Sequence, residues 1–246
     1  DCAPQDQWIP GSYWVLGGAW LALHLWEHYR YSGDISYLQR AYPILEQSCL
    51  FFEDFLQENE AGYLVLCPSV SPENTYLDQN GCEACFVPGA AMDTEILHEL
   101  FICTAQATRI LGKDDAFAQK VEELDARLCP VEIGENGCVR EWMLDVREAE
   151  PGHRHISHLW GLYPARQFTK QTPEFFAAAR KTIEHRLAHG SGGTGWSRAW
   201  LICMWARLCD GEQTQKNLDV FCARSLYDNM FCAHPPFQID GNFGVA

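Results

Sequence analysis

Apolar positions along this chain recur mostly at helical spacing. From Gly17, the stretch GGAWLALHLWEHYRYSGD places Leu21, Leu25 and Tyr29 at i, i+4 and i+8, with Trp26 beside them. That pattern predicts a helix ending at Ser32-Gly33. Asp34 then caps a second helix, ISYLQRAYPILEQSCLFFEDFL. Pro43 falls inside it, either near its first turns or as a break between two pieces. Residues 62–67, GYLVLC, read as a short strand, and 68–90, rich in Pro, Ser, Asn and Gly, as a long irregular loop. A helix is expected over 92–111, with Ile96, Leu100, Cys103 and Ala107 on one face and Gly112 ending it. An amphipathic helix over 114–128 follows, then a β-like segment over 131–139 around Gly-Glu-Asn-Gly. Residues 155–163 suit a short helix. Thr172-Pro173-Glu174 opens another that reaches His189. After the glycine-rich 190–195, helices are expected over 196–208 and 212–227, and the tail 233–244 reads as a Pro/Gly loop.

Helix, loop, helix therefore repeats, with no heptad seam and no strong sequence repeat. Antiparallel helical hairpins with long loops at one end predict an all-α chain, an α/α toroid or part of one; an irregular helical bundle is the plainer alternative.

At 246 residues the chain holds one or two domains. Hydrophobic residues at 47% and charged residues at 21% suit a sizeable core and disfavour disorder. With Lys+Arg at 18 and Asp+Glu at 33, the net charge is 18 − 33 = −15. That argues against nucleic acid or an anionic membrane surface as partner, since both attract clustered cations. No apolar run is long enough for a membrane-spanning helix. The first residues carry no basic and apolar signal-peptide pattern and no initiator Met, and the last form no terminating element, so a piece of a longer protein is expected. The cellular compartment stays open.

The 12 cysteines are scattered, several inside apolar helical stretches (Cys49, Cys103, Cys203), as small buried hydrophobes would be. This predicts a chain not built on disulfides. Cys82-Glu83-Ala84-Cys85 has no second CxxC and no HxxxH, so a zinc site lacks its other ligands. The 9 Trp, 9 Tyr and 13 Phe serve either a large core or a sugar-lining cleft, because pyranose faces pack on aromatic faces.

Four loops concentrate the candidate chemistry. Pro68-Ser69-Val70-Ser71-Pro72-Glu73-Asn74 sets a carboxylate among stiffening prolines, or simply exposes a solvated Glu. Arg140-Glu141-Trp142, with Asp145 beyond, suits a sugar subsite and equally a strand end with an ion pair. His153-Arg154-His155-Ile156-Ser157-His158 suits a metal site, hydroxyl recognition or buried structural histidines; no carboxylate or Cys lies adjacent to complete a metal set. His155 and His158 would share one helix face. In the segment 234–244, HPPFQIDGNFG, glycines permit close backbone approach around Asp240, which suits a base or a turn residue bonding its own backbone. The glycine-rich 190–196 lacks the lysine and preceding strand of a phosphate loop and suits a tight helix entry. Gly17-Gly18 lacks dinucleotide spacing, and no G-x-S-x-G occurs. Two isolated acids on rigid loops remain, Glu73 and Asp240. Paired carboxyls are what glycoside hydrolysis needs, one to protonate the leaving oxygen and one to activate water or attack carbon.

Seven strings, in order and spanning nearly the whole chain, carry a specific resemblance: GGAWLALHLWEHY (17–29), SPEN (71–74), MDTEILHELF (92–101), REWMLD (140–145), HRHISHLWGLYP (153–164), GGTGWSRAWLICMWARL (192–208) and HPPFQIDGNFG (234–244). Together they resemble glycoside hydrolase family 95, the inverting α-L-fucosidases. The resemblance implies that residues 1–246 are part of a single (α/α)6 toroid or barrel catalytic domain. That domain hydrolyses terminal α-L-fucose, typically α-1,2-linked to galactose, on milk oligosaccharides, mucin and blood-group glycans or xyloglucan; some relatives prefer α-L-galactosides. The implied partner is a fucosylated oligosaccharide or glycan, and neither cofactor nor metal is implied.

By the same resemblance Glu73 is the general acid and Asp240 the base-side carboxylate, acting through an Asn pair that precedes the first matched helix and is absent here. Arg154 and His155 bond sugar hydroxyls, Trp20 is an apolar wall, and Glu141 binds substrate or competes for the acid role. Glu73 is preferred as the acid because the adjacent Arg140 cation would lower a carboxyl pKa that an acid needs raised. About eight helices stand where a closed barrel needs twelve, and the family's preceding β-sandwich is missing. The expectation is an incomplete barrel with exposed apolar helix faces, inactive alone. A metal-dependent enzyme using His153, His155 and His158, and a non-catalytic carbohydrate-binding or scaffold protein, are the rival readings.

Overall fold

Residue 34 shows how local chemistry sets the helices in the computed structural model, which describes residues 8–245. The Asp34 side chain accepts from Tyr37 N and starts a 21-residue helix. Gly33, in the left-handed region, ends the helix before it. The described residues are mostly helical, with short strands at the loops. They pack as two units, the first formed by residues up to Glu73 with Cys85–Glu132 and Glu141–Asp145, the second by Asn74–Ala84, Ile133–Arg140 and residues from Val146 onward.

The first unit contains α1 (Ile9–Ser12), α2 (Gly17–Ser32), α3 (Ile35–Phe55), β1 (Leu56–Glu58), β2 (Leu64–Leu66), α4 (Ala91–Ile110) and α5 (Asp115–Ala126). α3 runs unbroken through Pro43, which faces outward. β1 had no counterpart in the periodicity, because its residues continue the helical apolar pattern; it pairs antiparallel with β2, Leu56 opposite Leu66. The turn between them is closed by Asn59, whose Oδ1 accepts from Ala61 N and Tyr63 N.

α4 is the centre of this unit. The expected face of Ile96, Leu100, Cys103 and Ala107 is buried, and so are Leu97, Phe101 and Ala105. Buried on several sides, α4 packs against α2, α3 and α5. Each large side chain there contributes about 1.5–3 kcal/mol by leaving water. Two polar links fix the register of α3 on α4: Tyr42 Oη to Thr108 Oγ1 at 3.0 Å, and the Cys49 thiol donating to Thr104 Oγ1 at 3.3 Å. In α2 the periodic stripe is only partly enclosed. Leu21 is 67% exposed, Leu25 and Tyr29 are half-buried, and the helix buries Ala19 and Ala22. Ile44 and Phe51 of α3 are also exposed.

The second unit contains β3 (Tyr76–Leu77), β4 (Glu83–Ala84), β5 (Arg147–Glu148), α6 (Pro173–Ala188), α7 (Gly195–Arg207), α8 (Gly211–Arg224) and α9 (Asp240–Val245). β3 lies between β4 and β5, antiparallel to both. The long loop is thus more ordered than its composition predicts. Asp78 organises its tip by accepting from Asn80 N and Cys82 N, bonds that hold its carboxyl below the usual range.

The helix expected over 155–163 reduces to one 3-10 turn, Ser157–Leu159, so His155 and His158 share no helix face. Thr172 precedes α6 without capping it. Its hydroxyl accepts from Thr169 N and donates to the Gln167 carbonyl. Thr194 does cap α7, exchanging bonds with Ser197, so 190–195 is a helix entry. The tail expected as loop ends in α9.

Ile202, Phe221 and Cys232 form one buried cluster, with Leu218, Leu226 and Val245 against it. Among the described cysteines none is disulfide-bonded; Cys49 and Cys103 are buried and Cys203 only half so. Among the described residues no helix is long and apolar enough to cross a membrane.

Candidate active site

The first acid loop leaves β2 through the cis Cys67–Pro68 peptide and reaches Glu73 through a cis Pro72–Glu73 peptide. Ser69 exchanges two backbone bonds with Val87, each 2.9 Å. Tyr13 Oη donates to the Pro68 carbonyl at 3.2 Å, its ring edge-on to Phe86. Ser71 Oγ donates to Glu141 Oε1 at 2.7 Å, with both residues buried.

Glu141 is 5% exposed, and its carbonyl accepts from Ala91 N at 3.0 Å. Together with the Met143 N bond to the Gly89 carbonyl, this lays residues 141–143 along the start of α4. Asp93, in the first turn of α4, is 3% exposed. Its Oδ2 accepts from Ala90 N at 2.7 Å. Burial pushes its pKa up to about 7, against the charge-favouring effect of its polar neighbours Ser69 and Ala90 N.

Glu73 itself is partly exposed. Gly11 of α1 lies between it and an indole. A methyl on Gly11 would sit 2.5 Å from Trp8 Cδ1 and 3.6 Å from the Glu73 carboxyl carbon. Trp20, partly buried on α2, stands edge-on to Trp14 at 6.0 Å between ring centres.

In the second unit, Asp240 is the exposed first residue of α9, and its Oδ1 accepts from Gly241 N at 2.9 Å. α9 is seated by close backbone approach. Side chains on Gly195 and on Gly241 would meet Cys232 Sγ at 2.0 and 2.2 Å, so the buried thiol fills the space both glycines leave. Burial, and secondarily the Asp240 charge, pushes that thiol pKa up. Asn242 completes the seat, accepting from Cys232 N at 2.8 Å and donating to the Met230 carbonyl at 2.9 Å.

The histidine loop borders the same start of α7. The His155 ring packs 4.6 Å from that of Trp196, and Trp196 N lies 3.1 Å from where a Gly241 side chain would be. His153 is buried. Its Nδ1 accepts from His155 N, and its carbonyl accepts from Ser191 Oγ. Arg154, partly exposed, sits between them in sequence. Arg186 anchors the loop from behind: fully buried, it pairs with Glu148 at 2.9 Å and donates to the carbonyls of Glu150 and Pro151. Among the described residues no three His, Cys, Asp or Glu converge as a metal-ligand set.

Of the residues expected at a site, Trp20, Glu73 and Glu141 thus fall in the first unit, and Arg154, His155 and Asp240 in the second. The fold joins the Glu73 loop to Glu141 through Ser71, and brings His155 and the Asp240 segment to the first turn of α7. The sequence reading missed Trp8, Gly11, Ser69, Asp93, Trp196 and Cys232. An acid three residues into a helix was the one visible signal, for Asp93.

These strings and loops have counterparts in known proteins. Residues 1–246 match the Glycosyl hydrolase family 95 catalytic domain. Alpha-L-fucosidase 2 of Arabidopsis thaliana is 40% identical over 247 residues, covering 95% of this chain and 29% of that protein. "Probable alpha-fucosidase A" of Aspergillus niger is 30% identical over 247 residues, covering 92% of this chain and 30% of that protein. The chain therefore spans less than a third of the length of these relatives. On the match across its whole length, the chain belongs to glycoside hydrolase family 95.

Proposed function

We propose that the protein containing this chain is a glycoside hydrolase that releases terminal α-L-fucose, α-1,2-linked to galactose, from oligosaccharides or glycans with inversion. The observation that carries this reading is the 40% identity over 95% of the chain to a protein named an alpha-L-fucosidase. The helices contribute to one (α/α)6 toroid. Glu73 is the general acid: its proton goes to the glycosidic oxygen as the bond to the anomeric carbon breaks. Asp240 is the base-side carboxylate, polarising the Asn pair that holds the attacking water. That water adds to the opposite face of the sugar, and inversion asks for roughly 6.5–9.5 Å between an acid and a base to make room for it.

Arg154 and His155 bond hydroxyls, Trp20 offers an apolar face, and Glu141 belongs to the acid side of the pocket. Two features support the roles. The Glu73 loop is tied to the buried start of α4, and Asp240 is seated by a packed glycine contact. Both are the rigid support that a positioned acid and base require.

The test uses the full-length protein and an α-1,2-fucosylgalactoside, with NMR following the first-formed anomer. β-L-fucose is expected; α-L-fucose overturns inversion. Glu73→Gln and Asp240→Asn are each expected to lose orders of magnitude in turnover, and a near-normal rate removes that residue from the chemistry. Faster release of L-galactose than of L-fucose would reassign the substrate.

A further inference from the structure

The loop bearing Glu73 is fastened to the start of α4. Ser71 Oγ donates to the Glu141 carboxyl at 2.7 Å, and the Glu141 carbonyl accepts from Ala91 N in the first turn of that helix. Both side chains are buried. A carboxyl is costly to bury, yet this one holds the segment that leads to Glu73. The helix it rests on, α4, is itself buried on several sides.

We propose that Glu141 is a positioning residue for the general acid, holding residues 71–73 through Ser71 so that the Glu73 carboxyl meets the glycosidic oxygen. The assignment rests on Glu73 being that acid. The Glu141 carboxyl exchanges no proton with substrate; it acts through Ser71. Misplacement of a catalytic group by about 1 Å costs on the order of a hundredfold in rate, so one hydroxyl suffices to carry a large effect.

The experiment compares two substrates in the full-length protein. A fucosyl-galactose needs its leaving oxygen protonated; dinitrophenyl α-L-fucoside does not. Glu73→Gln is run first. If it slows both substrates equally, the acid reading fails and the positioning role falls with it. If it slows only the disaccharide, Ser71→Ala and Glu141→Ala are expected to cut kcat about 10- to 100-fold on the disaccharide and less than about 3-fold on the aryl fucoside. Glu141→Gln keeps an acceptor for Ser71 and is expected to lose less on the disaccharide than Glu141→Ala. Ser71→Ala, which removes only one hydroxyl, carries the test should the Glu141 variants not fold. Equal losses on both substrates, or a raised KM for Glu141→Gln with Ser71→Ala unaffected, overturn the proposal; the latter would put Glu141 on the sugar.

Discussion

Glu73 and Asp240 both stand on proline-marked loops, yet the two loops are held by different means. In the first unit the fastener is polar: Ser71 on the buried Glu141 carboxyl, closing onto the start of α4. In the second the seat is steric. Cys232 Sγ occupies the volume vacated by Gly195 and Gly241, and the Asn242 amide closes the backbone around it. A polar fastener fails when an atom is removed, because a buried partner is left unsatisfied. A steric seat fails when an atom is added, because a packed interior has nowhere to put it.

The sharpest test of that contrast is Gly195→Ala. Its methyl would overlap Cys232 Sγ at 2.0 Å, and a loss of about 3 kcal/mol or more in stability is expected by chemical denaturation. Adding Cys232→Ala should restore much of it, since the next contacts are at 3.3 and 3.6 Å. Gly241→Ala should resist the same rescue, because Gly195 C and Trp196 N remain at 2.9 and 3.1 Å. Rescue of both alike would break the steric account.

Asp93→Asn probes the polar side through pH. The folded pKa of Asp93, about 7, stands above its unfolded value, so the native state binds the extra proton. Its stability contribution is then fullest in acid and is lost as pH rises through about 7. Tyr13 is the other ionisable group coupled to it. Asn keeps an acceptor for Ala90 N and carries no charge. Unfolding free energies from chemical denaturation across about pH 4–8 should therefore move in favour of the variant as pH rises, by on the order of a few kcal/mol. A pH-independent difference would remove the buried charge from the account.

Ser71→Ala comes next. It removes the 2.7 Å hydrogen bond to buried Glu141 Oε1 and should cost about 1–2 kcal/mol by denaturant midpoint, where the same change at an exposed serine costs almost nothing. Asn242→Ala is the mildest. Two half-exposed amide bonds are worth about 1 kcal/mol together, so a small shift in midpoint is expected, with Asp240-dependent turnover falling more than stability.

Much of the first unit was legible from spacing. Asp34 and Gly33 mark a cap and a stop by chemistry that acts within four residues, and α3 and α4 follow from apolar period alone. Leu21 shows where that reading ends: its period was helical, but which side of α2 met α3 and α4 depended on the small Ala19 and Ala22 allowing close approach. The 3-10 turn at Ser157–Leu159 replaced a helix because the residues before it are held to α6 by Arg186 and to Ser191. No local pattern encodes those partners.

The sequence by itself determined most of the helices, caps such as Asp34, the two loop carboxylates and, through seven ordered strings, the family. Those features depend on neighbours a few residues away or on residue identity alone. Only the tertiary structure decided that Glu141 lies buried under Ser71, that Asp93 is buried at the start of α4, and that Cys232 fills the space between Gly195 and Gly241. Ser71 and Glu141, like Gly195 and Cys232, lie tens of positions apart, so those contacts leave no periodic trace along the chain.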